Sequence, residues 1–588
     1  MSEIRHADKK NREPLALENK TYFNDYLFNF LITNQFGGKT GDKAKWTTFE
    51  HNGVLFPDPY IKHDIPLIYD GKKITLKNDS EEYATIYSKF LDTEYINSIK
   101  FNKNFFKDWK KILIKDGHTE IIDFSKCDFS LILKYITDEK LKNTNISKEE
   151  KLNKKEEKNK IEEKYKIAIV DGKEQEVGNF RIEPPSLFLG RGCHPLAGKI
   201  KKRIYPEDII INIGNKSTIP SIPNFYKNHK WGKIIHDDTS EWLASWKDGI
   251  TGKMKYVWLG SKSDFKAKSD IDKFDMARKL KKNIMHIKKI NYENLMSSDI
   301  TIKQLATALY LIDNFALRVG NEKGDDEADT VGVCSLRVEH MILLDENKVK
   351  LDFLGKDSIR YQNTIHVDSD VYNNLALFMQ GKNKKDNLFG LINTIKLNLY
   401  ISEIMPGLTA KVFRTYNASH LFQQEINDIY KKYNKELSQK DNKKDIIKYI
   451  DEILNSYNKA NIKVALLCNH QKNISKNFKE QISKFDDKLK KLKKSIELLL
   501  EKKTDENVRK INKKIKIIND KIKITKNKKN FKVEMKNLSL DTSKTNYIDP
   551  RITIAFLKKF NIPIEKIFSP TLRDKFFWAM DVDENWQF

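Results

Sequence analysis

The chain has 588 residues, enough for roughly two to four domains with cores of their own. Hydrophobic residues make up 39% and aromatics 11%, with eight tryptophans, which excludes a chain that is disordered overall. Lys and Arg outnumber Asp and Glu by 108 to 82, a net charge of +26, so the expected partner is a polyanion, with nucleic acid the first candidate.

Four cysteines (Cys127, Cys193, Cys334, Cys468) stand far apart with no C-x-x-C pair, which suggests neither a disulfide framework nor a zinc site. The start, Met1-Ser2-Glu3-Ile4-Arg5-His6, has no apolar signal core, and no apolar run reaches 18 residues. The expectation is a soluble protein of a reducing compartment, without a membrane partner.

In chain order, residues 1–20 read as a polar tail. Gly38-Lys39-Thr40 resembles the end of a phosphate-binding loop, but Thr33 stands where that pattern needs glycine, so ATP dependence is not expected. From 21 to 135 aromatic-rich segments alternate with Pro/Gly turns, and helical periodicity runs from about Phe105 to Leu113. Residues 138–165, almost all charged or polar, predict one exposed helix. Between 166 and 262, apolar runs such as Ile167–Val170 and Ile209–Ile213 predict short strands. Residues 270–470 read mainly as helices, interrupted by a strand-like patch at Val349, Leu351 and Phe353. The acidic loop Asp325 to Asp329 lacks calcium-loop spacing, and Cys193-His194 has no partner pair, so no metal is expected.

Further on, Ile482, Phe485, Leu489, Leu492, Ile496 and Leu499 repeat at intervals of three and four. After a polar break, Val508, Ile511, Ile515, Ile518 and Ile522 do the same, which predicts an antiparallel coiled-coil hairpin. Residues 472–540 hold 23 Lys and Arg against 9 Asp and Glu, so this element carries +14 of the net charge. A C-terminal piece follows, with Ile552, Ile554, Phe556, Leu557, Phe560, Phe576, Phe577 and Trp578 as its expected core.

The candidate chemistry is phosphodiester cleavage, which needs an oxygen nucleophile, cations around the non-bridging oxygens and an acid for the leaving oxygen. Tyr547, in Ser543-Lys544-Thr545-Asn546-Tyr547, can be the nucleophile. Arg318 and Arg414 offer the planar fork that suits phosphate, and Lys356 and His470 are candidate proton carriers. Taken singly, each has a plain explanation: a structural ion pair for either arginine, a surface lysine, a capped core histidine. Their order along the chain is what carries weight.

That order, with the surrounding segments, resembles eukaryotic type IB DNA topoisomerases from about residue 21 onward. The likeness extends through Lys103-Asn-Phe-Phe-Lys-Asp-Trp109, Ile182-Glu-Pro-Pro185, Gly190-Arg-Gly-Cys-His-Pro195 and Pro206-Glu-Asp-Ile-Ile-Ile-Asn212. It continues in Ala328-Asp-Thr-Val-Gly332, Ser335-Leu-Arg-Val-Glu-His340 and Pro563-Ile-Glu-Lys-Ile567. The long charged N-terminal extension typical of nuclear members has no counterpart in this sequence.

The resemblance implies an α+β multidomain fold. After the tail (1–20) come a mixed α/β DNA-clamping cap (21–262) and a mainly helical catalytic core of the tyrosine recombinase/topoisomerase IB type (263–472). A coiled-coil linker (473–540) and a small helical C-terminal domain (541–588) complete it. Tyr547 would form a 3′-phosphotyrosyl bond, with Arg318, Arg414 and His470 stabilising the transition state and Lys356 protonating the 5′-oxygen. Arg191, His194, Lys411 and Asn546 would contact DNA, while Arg191, Asp357 and Asn546 would border a pocket for camptothecin-like inhibitors. The implied partner is double-stranded DNA, bound by a monomer in the nucleus, with no cofactor and no metal. Lys199-Ile-Lys-Lys-Arg203 adds little to the nuclear expectation, because DNA contact explains it equally well.

Two rivals remain. A tyrosine recombinase usually carries histidine where Lys411 stands, and the coiled-coil hairpin is foreign to it. A non-enzymatic basic DNA-binding scaffold would explain the charge but not the five residues in order.

Overall fold

The structure, a computed structural model, describes residues 43–324, 327–437, 443–472, 474–475, 477–504 and 507–588. The expected tail, the start of the cap at 21, the Gly38-Lys39-Thr40 motif and Asp325 and Asp326 lie outside the described residues.

The N-terminal half is built on two cores. In the first, β1 (Phe49–His51) pairs with β5 (Ile167–Val170), which pairs with β6 (Lys173–Glu176). Beside it lies a four-stranded sheet ordered β10-β9-β11-β12: β9 (Ile209–Asn212), β10 (Lys233–Ile235), β11 (Trp242–Lys247) and β12 (Met254–Trp258). Ile209, Ile211 and Ile213 alternate along the chain, so one face of β9 is buried against Phe49 and Val257.

The second core stacks α1 (Asn78–Ser88), α2 (Ile99–Asp116) and α3 (Ser130–Asn145) on a small sheet of β2 (Leu67–Tyr69), β3 (Lys72–Ile74) and β4 (Cys127–Asp128). Phe101, Phe105, Trp109 and Leu113 recur every four residues, so they line one fully buried stripe of α2. The charged stretch from 138 to 165 is two helices rather than the one expected. Ser147 and Glu150 form a capping box that starts α4 (Lys148–Glu163): the Ser147 hydroxyl accepts the Glu150 N–H and the Glu150 carboxylate accepts the Ser147 N–H, satisfying groups that a new helix start leaves free. Glu162 on α4 is buried and clamped by Arg181 at 3.0 and 2.6 Å. A two-stranded ribbon, β7 (Ser186–Leu187) and β8 (Ile200–Lys201), brackets the loop that carries Arg191 and His194.

In the following half, α5 (Asp264–Leu295) and α6 (Ile300–Phe315) are followed by a three-stranded antiparallel meander, β13 (Met341–Leu344), β14 (Lys348–Gly355) and β15 (Ile359–His366). The sequence pointed only to β14. Its neighbours are half exposed: β15 interleaves Arg360, Gln362, Asn363 and Thr364 with its apolar residues, and β13 is an apolar run of only four residues, too short for periodicity to mark it as a strand. Helices α7 (Ser369–Met379), α8 (Thr394–Ile404), α9 (Ala410–Leu437) and α10 (Lys443–Leu467) complete this half. The same core takes in Ile548, Ile552 and Phe556 from the C-terminal piece.

Helices α11 (Phe478–Glu501) and α12 (Val508–Glu534) pack on each other as a long hairpin. Each of the eleven predicted apolar positions is half-buried or buried there, and Lys529 of α12 meets Asp486 of α11. The base is closed by backbone bonds from Lys472 N–H to the Asn537 carbonyl and from Ser539 N–H to the His470 carbonyl, both 2.8 Å. Helices α13 (Leu540–Asn546), α14 (Pro550–Lys559) and α15 (Pro570–Lys575) follow. Phe577, expected in the core, is 44% exposed, and Trp578 is only half-buried against Phe274 and Phe576.

Candidate active site

Tyr547 sits in the turn between α13 and α14. The Ser419 hydroxyl donates to its carbonyl at 2.9 Å and accepts the Asp549 N–H at 3.0 Å, so one α9 side chain holds the main chain on both sides of the tyrosine. Asp549 then caps α14 and is locked by Arg551, which also reaches Asp275 at 2.8 Å on α5.

Three of the predicted residues meet the tyrosine ring. Arg318 Nη1 donates to the phenolic oxygen at 3.3 Å, the Arg414 guanidinium lies 5.1 Å from the ring centroid, and the His470 ring lies 5.0 Å away. Burial alone would push the phenol pKa up, but the charges of Arg414 and Arg318 outweigh it and hold the group below the ordinary tyrosine value. The anionic oxygen that a nucleophile needs is therefore favoured.

Arg414 is buried, and its position follows from two helix ends. Ala316, at φ 48°, closes α6 in a left-handed turn, and Cys468 follows the end of α10. Carbonyls at helix C-termini lack intrahelical donors and favour a cation. Arg414 serves both, with Nη1 on the Ala316 carbonyl and Nη2 on the Cys468 carbonyl at 2.9 Å. Among the described residues neither Arg414 nor Arg318 pairs with a carboxylate, so neither is held by a structural ion pair. Arg414 Nε is buried with no partner.

His470 follows Asn469, whose left-handed backbone (φ 50°) ends the helical run, and its N–H returns to the Ala465 carbonyl at 2.8 Å. Its Nδ1 lies 2.7 Å from the Ser543 hydroxyl, while Nε2 is buried and unpartnered. Burial, then the charges of Arg414 and Arg318, lower its pKa to about 3, so the ring is neutral near pH 7. In the tautomer in which the Ser543 hydroxyl donates to Nδ1, Nε2 carries the hydrogen and is a neutral donor without an acceptor. It is thereby removed as a proton source at neutral pH.

Arg318 leaves α6 through the Ala316 turn and is held by the N–H groups of Val333 and Cys334, which bond the carbonyls of Arg318 and Val319 at 2.8 and 2.7 Å. Gly320 and Gly332 allow that approach: a Cβ on either would stand 2.5 Å from the other's backbone. Lys356 lies at the tip of the β14–β15 hairpin, before Asp357 and Ser358 in left-handed backbone. It is exposed and has no hydrogen bond or ion pair to a described residue.

Arg318, Lys356, Arg414 and His470 line one cavity of about 90 Å³, together with Cys468 and Gln471. Tyr547 is outside that lining and meets the group through the two arginines and the histidine. Arg318 and Lys356 also face a cavity of about 1110 Å³ whose walls come from both halves and carry Arg191, His194, Lys201, Lys253, Lys255 and Lys323. Across it Arg191 pairs with Asp357, the Ser358 hydroxyl reaches the Arg191 carbonyl at 3.4 Å, and Lys253 meets Glu327. His194 packs edge-on against Phe188 at 4.8 Å.

Lys411 is exposed in the first turn of α9, one turn before Arg414. Asn546 is exposed, and its amide donates to the Thr542 carbonyl at 3.3 Å, without a bond to Arg191 or Asp357 among the described residues. Of the inhibitor-pocket trio, then, only Arg191 and Asp357 touch. Among the described residues no group of three or more His, Cys, Asp or Glu side chains could hold a metal, and no helix is long and apolar enough to cross a membrane. Sequence reasoning missed Ser543 and Ser419. Ser543 lies one helical turn before Tyr547, a spacing that would have flagged it.

This geometry fits a protein that acts on phosphodiesters, and comparison with known proteins narrows the class to DNA topoisomerases. The family described as "Eukaryotic DNA topoisomerase I, DNA binding fragment" matches residues 44–259, its "catalytic core" matches 262–503, and "C-terminal topoisomerase domain" matches 519–588. DNA topoisomerase 1 of Caenorhabditis elegans is 44% identical over 557 residues, covering 92% of this chain and 67% of the relative. That of Homo sapiens is 42% identical over 567 residues (92% and 72%), and DNA topoisomerase 1 alpha of Arabidopsis thaliana is 43% identical over 569 residues (93% and 60%). The chain belongs to the eukaryotic DNA topoisomerase I family.

Proposed function

We propose that the chain is a type IB DNA topoisomerase that relaxes positive and negative supercoils without ATP or a metal ion. The observation that carries this reading is a half-buried tyrosine set against two arginines that have no carboxylate partner among the described residues and a neutral buried histidine.

In this reading Tyr547 gives its phenolic proton to water, its oxygen attacks a DNA phosphorus, a P–O bond to the tyrosine forms, and the bond to the 5′-oxygen breaks. Arg318, Arg414 Nε and His470 Nε2 donate to the non-bridging oxygens as charge builds there, which supplies acceptors for the two buried groups that have none. Lys356, uncommitted at its hairpin tip, gives the proton to the departing 5′-oxygen. The phosphotyrosine keeps the energy of the broken bond, so the 5′-hydroxyl reverses the step after the strand has rotated.

Residues 21–262 would act as the cap, 263–472 as the catalytic core, 473–540 as a coiled-coil linker, and 541–588 as the domain delivering the tyrosine. The cationic cavity between the halves supports double-stranded DNA as the partner, held by a monomer. Arg191, His194, Lys411 and Asn546 would contact that DNA, and camptothecin-like inhibitors would stack beside Arg191, Asp357 and Asn546. The chain would work on chromosomal DNA in the nucleus.

Supercoiled plasmid mixed with the protein in EDTA, without ATP, tests the proposal. Relaxation is expected, and Tyr547→Phe should abolish it while changing DNA affinity by less than about threefold. A wild-type protein that leaves the plasmid supercoiled would sink the reading. Recombination between defined sites would favour a recombinase, and binding alone a scaffold.

A further inference from the structure

Strand β12 alternates strictly: Val257 is fully buried, while Met254, Tyr256 and Trp258 are 39%, 40% and 48% exposed on the opposite face. Trp242 of β11 pairs with Trp258 across the ladder. The three rings form a row, with centroids 5.6 Å apart from Trp242 to Tyr256 and 5.4 Å from Tyr256 to Trp258. A contiguous aromatic row of this kind on a soluble surface marks a covered or covering site. None of the candidate active-site residues lies on it.

The chain enters the described structure beside this row. Lys45 N–H bonds the Asp238 carbonyl at 2.8 Å, its ammonium pairs with Glu241 at 3.1 Å, and the Trp46 indole N–H donates to the Ser240 carbonyl at 2.7 Å. Those partners directly precede Trp242. The preceding chain is unusual in composition: residues 21–36, Thr-Tyr-Phe-Asn-Asp-Tyr-Leu-Phe-Asn-Phe-Leu-Ile-Thr-Asn-Gln-Phe, contain six aromatics and a single charge, Asp25. They also lie outside the three family matches, the first of which starts at residue 44.

We propose that residues 21–36 dock on the Trp242–Tyr256–Trp258 row and strap the N-terminal segment to the four-stranded sheet. The segment from Phe36 to Lys43 spans at most about 25 Å at 3.3–3.6 Å per residue, enough to lie along a row of three rings. Tethering at that length makes the docking intramolecular, at an effective concentration on the order of millimolar, which favours this occupant over a second copy in trans. Aromatic side chains on the strap match aromatic rings on the sheet.

The test uses the full chain with a photoreactive benzoylphenylalanine in place of Phe28, and separately in place of Phe36. Irradiation is expected to give intramolecular crosslinks to peptides containing Trp242 to Trp258 from at least one probe. Trp258→Ser should lower that yield about 2- to 10-fold, the size expected for losing one aromatic contact, with plasmid relaxation and melting unchanged. Crosslinks between chains, to another face, or none from either probe would overturn the proposal, as would a yield that Trp258→Ser leaves intact.

Discussion

Two walls of the candidate site are built in opposite ways. On one, Arg414 and His470 are buried and each is fixed from more than one side: Arg414 by two helix-end carbonyls, His470 by Ser543 and its own backbone return to Ala465. On the other, Lys356 stands exposed on a hairpin tip beside the Arg191–Asp357 pair, whose side chains are 67% and 38% exposed. The first wall is preorganised for charge that appears only during reaction, which is where fixed dipoles are most effective. The second is joined to the other half by exposed contacts (Arg191–Asp357, Ser358 to the Arg191 carbonyl, and Lys253–Glu327), of which each surface ion pair is worth at most about 1 kcal/mol. On the proposed mechanism, the transition-state stabilisers would sit on the fixed wall and the acid on the exposed one.

The sharpest way to break this contrast is Arg414→Ala. It strands the carbonyls of Ala316 and Cys468 and, on the proposed mechanism, removes a transition-state donor. Relaxation is expected to fall by roughly 10²–10³-fold, and urea unfolding should show a loss of about 2–4 kcal/mol. Arg414→Lys should recover little activity, because an ammonium cannot span both carbonyls. An alanine variant as stable as wild type would mean that the buried wall is not fixed as described.

Lys356→Ala probes the opposite wall. Cleavage should slow by about 10²–10⁴-fold, the usual contribution of a positioned acid, with unfolding free energy unchanged within about 0.5 kcal/mol. A rate loss accompanied by a large stability loss would put Lys356 in the fixed part instead.

A smaller effect is expected from pH. His470 has its pKa lowered to about 3, and the buried His51 has its own lowered to about 4. The unfolded chain takes up these protons near pH 6.5, while the folded chain takes them up only near 3 and 4. Stability is therefore complete above about pH 6.5 and falls as pH drops, by about 1.4 kcal/mol per unit for each histidine once well below 6.5. Urea titrations between pH 7 and 5 measure that slope. His470→Gln should flatten it by about one proton; an unchanged slope would show that the buried ring is already protonated.

Least is expected of Arg191→Ala. It should change stability by less than about 1 kcal/mol, and its effect on DNA release should shrink as salt rises. A change of several kcal/mol would erase the difference between the two walls.

Much of this arrangement was legible beforehand where one local signal was enough. Strand β5 matches its predicted span, the hairpin seams sit at the spaced positions, and helix ends at Ala316 and Cys468 could be read from the apolar runs before them. What stayed hidden depends on contacts between distant segments. Ser419 holds the tyrosine backbone from 128 residues away, and Arg414 is placed by carbonyls, which every residue has and no sequence pattern marks. Strand β15 is masked by interleaved polar residues, while β13 is four apolar residues, too few to show a period. Phe577 turned outward because the turn after α15 buries Phe576 and Ala579 instead, and apolar character alone cannot tell neighbours apart.

The closure at the foot of the long hairpin has a mechanical meaning. Helix α12 is roughly 40 Å long at 1.5 Å per residue, and its foot is tied to the His470 carbonyl through Ser539. That makes the hairpin a lever whose fulcrum lies one bond from the histidine and four residues from Ser543. A torque applied by a turning polyanion against its basic flank would arrive where the histidine's hydrogen is aimed, so swivelling and the timing of bond closure would share one joint.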